Sequence, residues 1–369
     1  MTSVAAARLT RVVSPAPRDA WVSTLEASAE YTVFHTPAWM DACCAHGRFE
    51  DASRLYETTD GRQIVVPMVR RRALGRRLAT AWSMPDGWGL GGAVGSAPVG
   101  PEDVALVVDD LRSVSPRVIV KPGPLTGGAW NGAAAQERVP HTMHVIDLRH
   151  GLEALWSKRF SGRTRNKIRK AEKDGVEIQC GAGTELVKLY WDIYLRWTLG
   201  RAERRGIPGG IALASAKRRE SLERFEAVAR CLDERCQVLV AWIGGRPAAS
   251  IILLLDGAYA HYWRAASDQA LIGQRYANYL LLARAIEAAA ERGYEHMDLG
   301  ESGGVRSLMA FKEQFGAEPV SHEELRFEPR VVTKAVRARN RFVQAASDVT
   351  LRSLARARSS SALGLARDR

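Results

Sequence analysis

Residues 236–265 read CQVLVAWIGGRPAASIILLLDGAYAHYWRA, and this stretch decides the fold class. Two apolar runs, 236–243 and 248–256, flank a Gly-Gly pair, and this spacing predicts a β-hairpin. A third strand is predicted over 259–265. The segment 276–292, which ends just before a glycine, predicts a helix. Strands and helices therefore alternate within one unit, which is typical of an α+β fold.

The same alternation extends along the chain in both directions. In the second half a basic helix is predicted to end at Asp174-Gly175, with further helices over 151–160, 185–204, 216–233 and 307–314 and strands over 176–180, 296–299 and 325–327. In the first half helices are predicted within 21–44 and over 102–113, and strands over 53–57, 63–70, 78–83, 117–121 and 142–147. Both halves are therefore predicted to be mixed α+β units of similar build, as after an internal structural duplication.

The length of 369 residues is consistent with this division. We predict a loose lead-in over 1–20, domains of mixed sheets flanked by helices over 21–150 and 151–328, and a tail over 329–369. No apolar run approaches the ~18 residues of a membrane span, and the N-terminus lacks the features of a secretory signal. The five cysteines are scattered without a CxxC pair, so we expect reduced thiols in a cytoplasmic protein.

Net charge is concentrated in two segments of the chain. The whole sequence carries +12, which favours an anionic partner such as nucleic acid, a phosphorylated substrate or a membrane surface. Residues 158–173 hold eight basic residues and one acidic residue, and residues 326–369 hold eleven and three. The rest of the chain is slightly acidic, so the basic character belongs to these two segments.

Five segments together resemble the FemAB-like branch of the GNAT acyltransferase superfamily, close to the domain described as BioF2-like acetyltransferase. The resemblance is strong in the second half, where it rests on the basic helix at 161–178, on the segments 258–268 and 276–300, and on the ending SLMAFKEQFGAEP at 307–319. In the first half it is weak and rests on the segment FHTPAWMDA at 34–42. It implies two tandem GNAT-like domains that share a substrate cleft. It also implies transfer of an acetyl or aminoacyl group to an amine.

The resemblance further implies which small molecules and partners take part. Acyl-CoA or aminoacyl-tRNA would act as co-substrate, with no tightly bound cofactor. The acceptor would be a small-molecule or lipid-linked amine of the cell envelope, a surface polysaccharide or a secondary metabolite. The sequence leaves the donor undecided, because the basic segments favour tRNA whereas the BioF2-like group mostly uses CoA. It also leaves the oligomeric state open.

The resemblance places Lys312 near the reacting carbonyl, where a fixed ammonium would stabilise developing negative charge. The alternative is a lysine on the surface of an amphipathic turn. Phe311 is expected in the core or the cleft wall. Asp298 and Glu301, at a strand end, are candidate general bases for the acceptor ammonium, although acidic residues there often form caps or ion pairs instead.

Two further groups of residues are candidates for substrate and donor binding. Tyr262 and Arg264 lie two positions apart on a predicted strand and are therefore expected on the same face. There Tyr262 would transfer a proton and Arg264 would bind a phosphate or a carboxylate. The alternative is that Tyr262 packs in the core and Arg264 is solvated. The turn LIGQRYAN stands where related enzymes hold the CoA pyrophosphate at a helix N-terminus, which makes Gly273, Arg275, Tyr276 and Asn278 candidate contacts. This turn lacks the usual pattern of glycines, which argues against ordinary acetyl-CoA binding.

In the first half, residues 86–100 hold six glycines and are predicted to form a loop. Asp86 and Trp88 within it, and Trp39 in the segment 34–42, are candidate acceptor contacts, with a mobile surface loop as the alternative for residues 86–100. On the basic helix, Arg165 and Arg169 share a face and are candidates for the phosphates of a nucleotide-linked acceptor or of tRNA.

The tail repeats apolar residues at helical spacing between basic ones, which predicts an amphipathic helix at a membrane surface or against tRNA. A helix packed on its own domain, with a disordered end from about Ser359, is the alternative. No motif for a metal site, a catalytic triad or redox chemistry is present. The competing function is a non-catalytic nucleic-acid or membrane-surface binding protein built on the same scaffold.

Overall fold

The structure is a computed structural model that describes residues 8–45, 47–71 and 80–328. Within these residues the strands are β1 Leu9–Val13, β2 Phe49–Asp51, β3 Arg54–Thr58, β4 Gln63–Val66, β5 Val69–Arg71, β6 Thr80–Ser83, β7 Val94–Gly95, β8 Arg117–Val120, β9 Glu137–Asp147, β10 Glu177–Gly181, β11 Cys236–Ile243, β12 Arg246–Asp256, β13 Tyr259–Ser267, β14 His296–Glu301 and β15 Glu318–Phe327. The helices are α1 Arg18–Glu26, α2 Pro37–Cys44, α3 Pro101–Val114, α4 Gly151–Ala154, α5 Gly162–Lys173, α6 Thr184–Arg204, α7 Gly209–Arg219, α8 Leu222–Leu232, α9 Gln269–Ile272, α10 Ala277–Glu291 and α11 Arg306–Glu313. The α+β class predicted from the sequence is confirmed.

Eleven of the described strands form one sheet, and four form a smaller one. The large sheet has the order β10-β11-β12-β13-β14-β9-β15-β8-β6-β5-β2, and the small sheet has the order β1-β3-β4-β7. Neighbouring strands are antiparallel except for two pairs, β13 with β14 and β6 with β8. Each half of the chain therefore contributes one parallel pair to an otherwise antiparallel sheet.

Strands β9 and β15 join the two halves at the centre of the large sheet. β9 pairs with β14 on one side and with β15 on the other. β15, from the end of the second half, pairs along its far edge with β8 of the first half. Backbone hydrogen bonds thus run without interruption from one half to the other. The boundary at residue 150 stays a prediction.

The middle strands are apolar on both faces because helices cover both sides of the sheet. On β12, Ile252 and Leu254 pack into a core with α2, α6 and α8, whereas Ile251 and Leu253 pack on the opposite side with α5 and α10. A third core lies under α3 in the first half. This two-sided burial explains why the run at 248–255 is almost continuously apolar.

Local signals placed most elements correctly, and the differences have physical reasons. The helix predicted over 216–233 is two helices, because Ser221 caps α8 by accepting from the Arg224 N–H at 3.3 Å. The last strand is longer than predicted, since residues 318–324 are mostly polar and do not show the apolar alternation of a buried strand. The predicted lead-in contains strand β1, and β9 begins at Glu137 rather than 142.

Among the residues that the structure describes, no helix is both long enough and apolar enough for a transmembrane segment. The tail predicted over 329–369 lies outside the described residues, as do residues 78 and 79 of the strand predicted over 78–83.

Candidate active site

A large cavity opens where the parallel strands β13 and β14 move apart. They pair only through Ala260 with Met297 and His261 with Asp298. Beyond those pairs both strands continue and line a cavity of about 810 Å³ instead of bonding to each other. In the first half, by contrast, β6 and β8 pair along all four residues. Separation of the β13–β14 pair therefore creates an open site, and residues of the first half such as Gly87, Gly89 and Lys121 contribute to its wall.

Lys312, in the last turn of α11, is 3% exposed and lines this cavity. Its Nζ donates to the carbonyl oxygens of Gly300 at 2.7 Å and Glu301 at 3.1 Å. The pairing of β14 with β9 shifts register between Asp298 and Glu301, and Gly300 within this irregular stretch has a positive φ of 70°. The carbonyls of Gly300 and Glu301 can therefore accept from Lys312. Burial lowers the pKa of Lys312 to about 8, while the charges of Asp298 and Glu301 oppose that shift.

An ammonium has three N–H donors, and two of those on Lys312 are used by the backbone. The third is left for a group in the cavity. The positive charge also acts on its surroundings, since burial and the charge of Lys312 together lower the pKa of His144. The sequence-derived expectation of Lys312 in the cleft and Phe311 in its wall matches where both side chains lie.

A histidine and an aspartate form a second polar pair in the cavity. His261 on β13 is 2% exposed and its Nδ1 lies 3.0 Å from Oδ2 of Asp298 on β14. The other carboxylate oxygen of Asp298 accepts from the Gly300 N–H at 2.6 Å. Since an ionised carboxylate only accepts, the pair places the proton of His261 on Nδ1. Nε2 is then a lone-pair acceptor, and no described residue hydrogen-bonds to it.

Glu301 is the centre of a polar cluster on the neighbouring cavity wall. Its carboxylate pairs with the Lys121 ammonium, lies 2.9 Å from Nδ1 of His141 and lies 3.3 Å from Nε2 of His322. Burial acts to raise the pKa of Glu301, but the neighbouring His322 ring and the Lys121 ammonium outweigh it and hold the pKa well below its usual range. Glu301 therefore stays ionised and paired, the arrangement given as the alternative to a general base.

The same cluster is the one group of described residues with the ligand types and spacing of a metal site. Ligand atoms of His141, Glu301 and His322 all lie within 4.8 Å of one another. A cation would, however, compete with the Lys121 ammonium for the same carboxylate. The sequence suggested no such grouping, because the three residues come from three separate strands.

Tyr262 and Arg264 both line the cavity, but the prediction that they share a strand face is wrong. Tyr262 is opposite Leu253, and Arg264 is opposite Ile252, with a register shift between the two pairs. Leu253 and Ile252 belong to cores on opposite faces of the sheet. A bulge at Trp263 inserts one extra residue and reverses the alternation. Burial raises the pKa of Tyr262, so its hydroxyl stays protonated.

Arg264 does not present a free guanidinium to the cavity. It donates to the Gly87 carbonyl at 2.6 Å and pairs with Glu220 at 3.3 Å. Arg224 donates to the same carbonyl, pairs with Glu220 at 3.1 Å and stacks over the ring of Trp88 at 4.2 Å. These arginines attach the glycine-rich loop to α8 and β13, so the loop is a fixed wall of the cavity.

The candidate acceptor contacts of the first half lie largely outside the cavity lining. Trp39 has no exposed surface, and its indole N–H donates to the Trp88 carbonyl at 3.0 Å. Trp88 is 6% exposed and packs edge-on against Trp39. Both rings are core residues, which corrects their assignment as substrate contacts. Asp86 is exposed and does not line the cavity.

The predicted pyrophosphate loop lies at the start of α10, as expected. Tyr276 has a left-handed backbone (φ 54°) and precedes the helix, and Asn278 in its first turn lines the cavity. Gly273 and Arg275 are exposed outside the cavity lining. Lys167 from α5 donates to the Tyr279 hydroxyl at 2.7 Å and adds a positive charge beside this helix start.

The basic helix α5 does not direct its predicted pair toward the cavity. Arg165 donates to the carbonyls of Trp156 and Phe160, so it caps the end of the preceding helical turn. Arg169 is exposed and stacks over Trp156 at 5.7 Å. Neither residue lines the cavity, and their role toward the phosphates of a nucleotide-linked acceptor or of tRNA stays a prediction.

The sequence analysis did not identify several cavity residues, among them His261, Lys121 and Trp197. His261 stands within AYAHYWRAASD, a segment that had been singled out, and its position one residue before Tyr262 was a usable signal. Lys121 ends a predicted strand, and Trp197 lies inside a long helix. Nothing in the local pattern separates these two from ordinary surface or core residues.

Comparison with known proteins adds to this geometry. The sequence model of the "Acetyltransferase (GNAT) domain" family matches residues 158–313. The structure is similar to the crystal structure of FemX, with a TM-score of 0.64 and 10% identity over 89% of this chain and 99% of that one. It is also similar to a conserved protein of unknown function from Bacteroides thetaiotaomicron VPI-5482, with a TM-score of 0.52 and 11% identity over 84% and 95% of the two chains. No curated protein matches the sequence.

Proposed function

We propose that the protein is an N-acyltransferase, because the acetyltransferase (GNAT) family model matches residues 158–313 and the fold is similar to that of FemX. The donor is acyl-CoA or aminoacyl-tRNA, and the acceptor is a small-molecule or lipid-linked amine. One observation carries the proposal: a buried lysine with one uncommitted N–H stands where two parallel strands separate. The BioF2-like assignment, the cytoplasmic location and any membrane contact remain predictions.

Each proposed step uses a side chain of the cavity. The acceptor enters as a neutral amine and its nitrogen forms a bond to the acyl carbon, while the third N–H of Lys312 donates to the developing oxyanion. Nε2 of His261 takes the proton that the nitrogen loses, with Asp298 holding the ring. The bond to the leaving sulfur or oxygen then breaks, and the Tyr262 hydroxyl supplies its proton. Solvent returns a proton from His261 to Tyr262.

The donor is found by a direct screen. Purified protein is incubated with labelled acetyl-CoA or with charged tRNA, alone and with a panel of amines, and donor consumption is measured. We expect one donor to be consumed, and Lys312→Met to slow its consumption by about 10²–10³-fold, as for loss of one oxyanion donor. Lys188→Met is the control, because Lys188 is an exposed surface partner of Glu185.

Two outcomes would contradict the proposal. If neither donor binds or is consumed, the acyltransferase assignment fails. If Lys312→Met retains full turnover, the cavity is not the reacting site. A protein that binds nucleic acid or membranes without consuming a donor would instead support the non-catalytic alternative.

A further inference from the structure

Two histidines and a glutamate meet where the two halves of the large sheet join. His141 on β9 is directly opposite His322 on β15, and their rings stack with centroids 5.5 Å apart. Glu301, at the end of β14, is opposite Met143 of β9 and therefore projects from the same face as His141, two positions away. We call His141, Glu301 and His322 the His-Glu site. The acyl transfer proposed above uses none of these three side chains.

The site contains buried nitrogen atoms without hydrogen-bond partners. His322 is 7% exposed, yet neither of its ring nitrogens hydrogen-bonds to a described residue, and the same holds for Nε2 of His141. Buried polar atoms are nearly always hydrogen-bonded in native proteins, so such atoms need an explanation. Nε2 of His322 lies 3.3 Å from Oε1 of Glu301 and faces that oxygen without a hydrogen bond. A cation that bonds to both atoms would satisfy them together.

The distances within the His-Glu site are close to those around a zinc ion. Zinc binds histidine nitrogen and carboxylate oxygen at about 2.0–2.2 Å in tetrahedral sites, which places neighbouring ligand atoms roughly 3.3 Å apart. Nδ1 of His141 lies 2.9 Å from Oε2 of Glu301, and Nε2 of His322 lies 3.3 Å from Oε1. Ligand atoms of all three residues lie within 4.8 Å of one another, so small side-chain rotations bring them around one ion.

We propose that the His-Glu site binds a zinc ion and that Lys121 competes with this ion for Glu301. Two neutral imidazoles and one carboxylate are a donor set that zinc accepts, with a fourth position left open. When Nδ1 of His141 binds the ion, the proton of the neutral ring is carried on Nε2, so the Nδ1 lone pair is available. The Lys121 ammonium, which pairs with Glu301, moves into the cavity that it also lines.

This competition makes the proposal specific to Glu301. A surface histidine can bind zinc loosely, but its affinity does not depend on a lysine that holds a neighbouring carboxylate. Removal of the Lys121 charge should therefore strengthen binding at the His-Glu site and nowhere else. Zinc binding is measured without a donor or an acceptor, so this inference and the proposed function can fail independently.

The test is titration of the full-length protein, stripped of metal by a chelator, with Zn²⁺ by calorimetry and with Co²⁺ by visible absorption. We expect one ion per chain to bind at micromolar concentration or below, and Zn²⁺ to raise Tm by mass action. His141→Ala should weaken binding at least tenfold. His150→Ala is the matched control, because it removes an exposed histidine elsewhere and should leave affinity unchanged.

Lys121→Met gives a second measurement with the opposite sign, which keeps the test decisive even if His141→Ala folds poorly. We expect it to strengthen Zn²⁺ binding at least threefold, because the competing ammonium is gone. Three results would overturn the proposal. The first is the absence of saturable binding at micromolar Zn²⁺, and the second is equal affinity in His141→Ala and His150→Ala. The third is unchanged or weaker binding in Lys121→Met, which would place the ion away from Glu301.

Discussion

Lys312 is held in a place where burial opposes its charge. Two backbone carbonyls of the irregular end of β14 supply the compensating hydrogen bonds, and its pKa falls to about 8. The side chain is therefore charged at neutral pH and loses its proton a little above it. A group of this kind stabilises an oxyanion only while it is protonated.

We expect turnover of the donor to fall as pH rises through about 8, because the Lys312 ammonium is lost there. In Lys312→Arg this decline should move to higher pH, since a guanidinium stays protonated. The measurement is a profile of kcat/KM between pH 6 and 10 for both proteins. A decline at the same pH in both would show that another group is responsible.

In the proposed mechanism Asp298 acts on the reaction through the ring of His261. In Asp298→Asn the Oδ1 atom can still accept from the Gly300 N–H, but the new amide would donate to Nδ1 and reverse the tautomer of His261. We expect kcat to fall by about 10²–10⁴-fold with little change in KM, and the folded structure to be retained. Glu295→Gln, at an exposed position near the start of the same strand region, is the control. Equal activity in the two variants would remove His261 from the mechanism.

At the scale of elements, the glycine-rich loop shows why a segment without periodicity can be rigid. Gly89 has a φ of 92°, and a Cβ atom there would lie 2.4 Å from the ring of Phe34. The carbonyl of Gly87 is held by two arginines. Close packing and charged donors therefore shape this part of the cavity wall, for which the sequence analysis gave a mobile surface loop as the alternative to a set of acceptor contacts.

Gly89→Ala should lower the free energy of unfolding by about 3 kcal/mol, because left-handed strain and overpacking each cost roughly 1–3 kcal/mol. Gly175→Ala is the matched control, since Gly175 has a φ of 73° but no atom within 4 Å of a Cβ. It should lose only about 1 kcal/mol. Urea denaturation measures both, and equal losses would show that the contact with Phe34 yields without strain.

At the scale of the molecule, the central position of β9 and β15 couples the two halves. Phe327, 2% exposed at the end of β15, packs into the core of the first half, although it comes from the end of the second. Its partner in the sheet is Val118 of β8. A strand shared in this way ties the stability of each half to the other.

We expect Phe327→Ala to lower the free energy of unfolding by about 3–5 kcal/mol and to reduce hydrogen-exchange protection in both halves. Val114→Ala, which truncates a side chain that is 43% exposed, should change stability by less than about 0.5 kcal/mol. Loss of protection limited to β6 and β8 would show that the halves unfold separately.

How well each feature of the fold could be predicted depended on how far apart in the sequence the residues that determine it lie. The β11–β12 hairpin and helix α10 follow from neighbouring residues, and both were predicted within a few positions. The bulge at Trp263 was not predicted. Side chains along a strand are expected to alternate between the two faces of the sheet, and only pairing with β12 shows the change of register. For the same reason Tyr262 was identified as a cavity residue but Arg264 was placed on the wrong face.

The sequence by itself determined the α+β class, the element order, the GNAT resemblance and the candidacy of Lys312, since these rest on periodicity, turn residues and short motifs. Only the tertiary structure decided that β13 and β14 separate, that His261 meets Asp298 across 37 positions, and that Glu301 meets His141 across 160. The physical reason is that such contacts form between strands whose pairing is settled by packing of the whole sheet. Contacts of that range leave no local pattern in the chain.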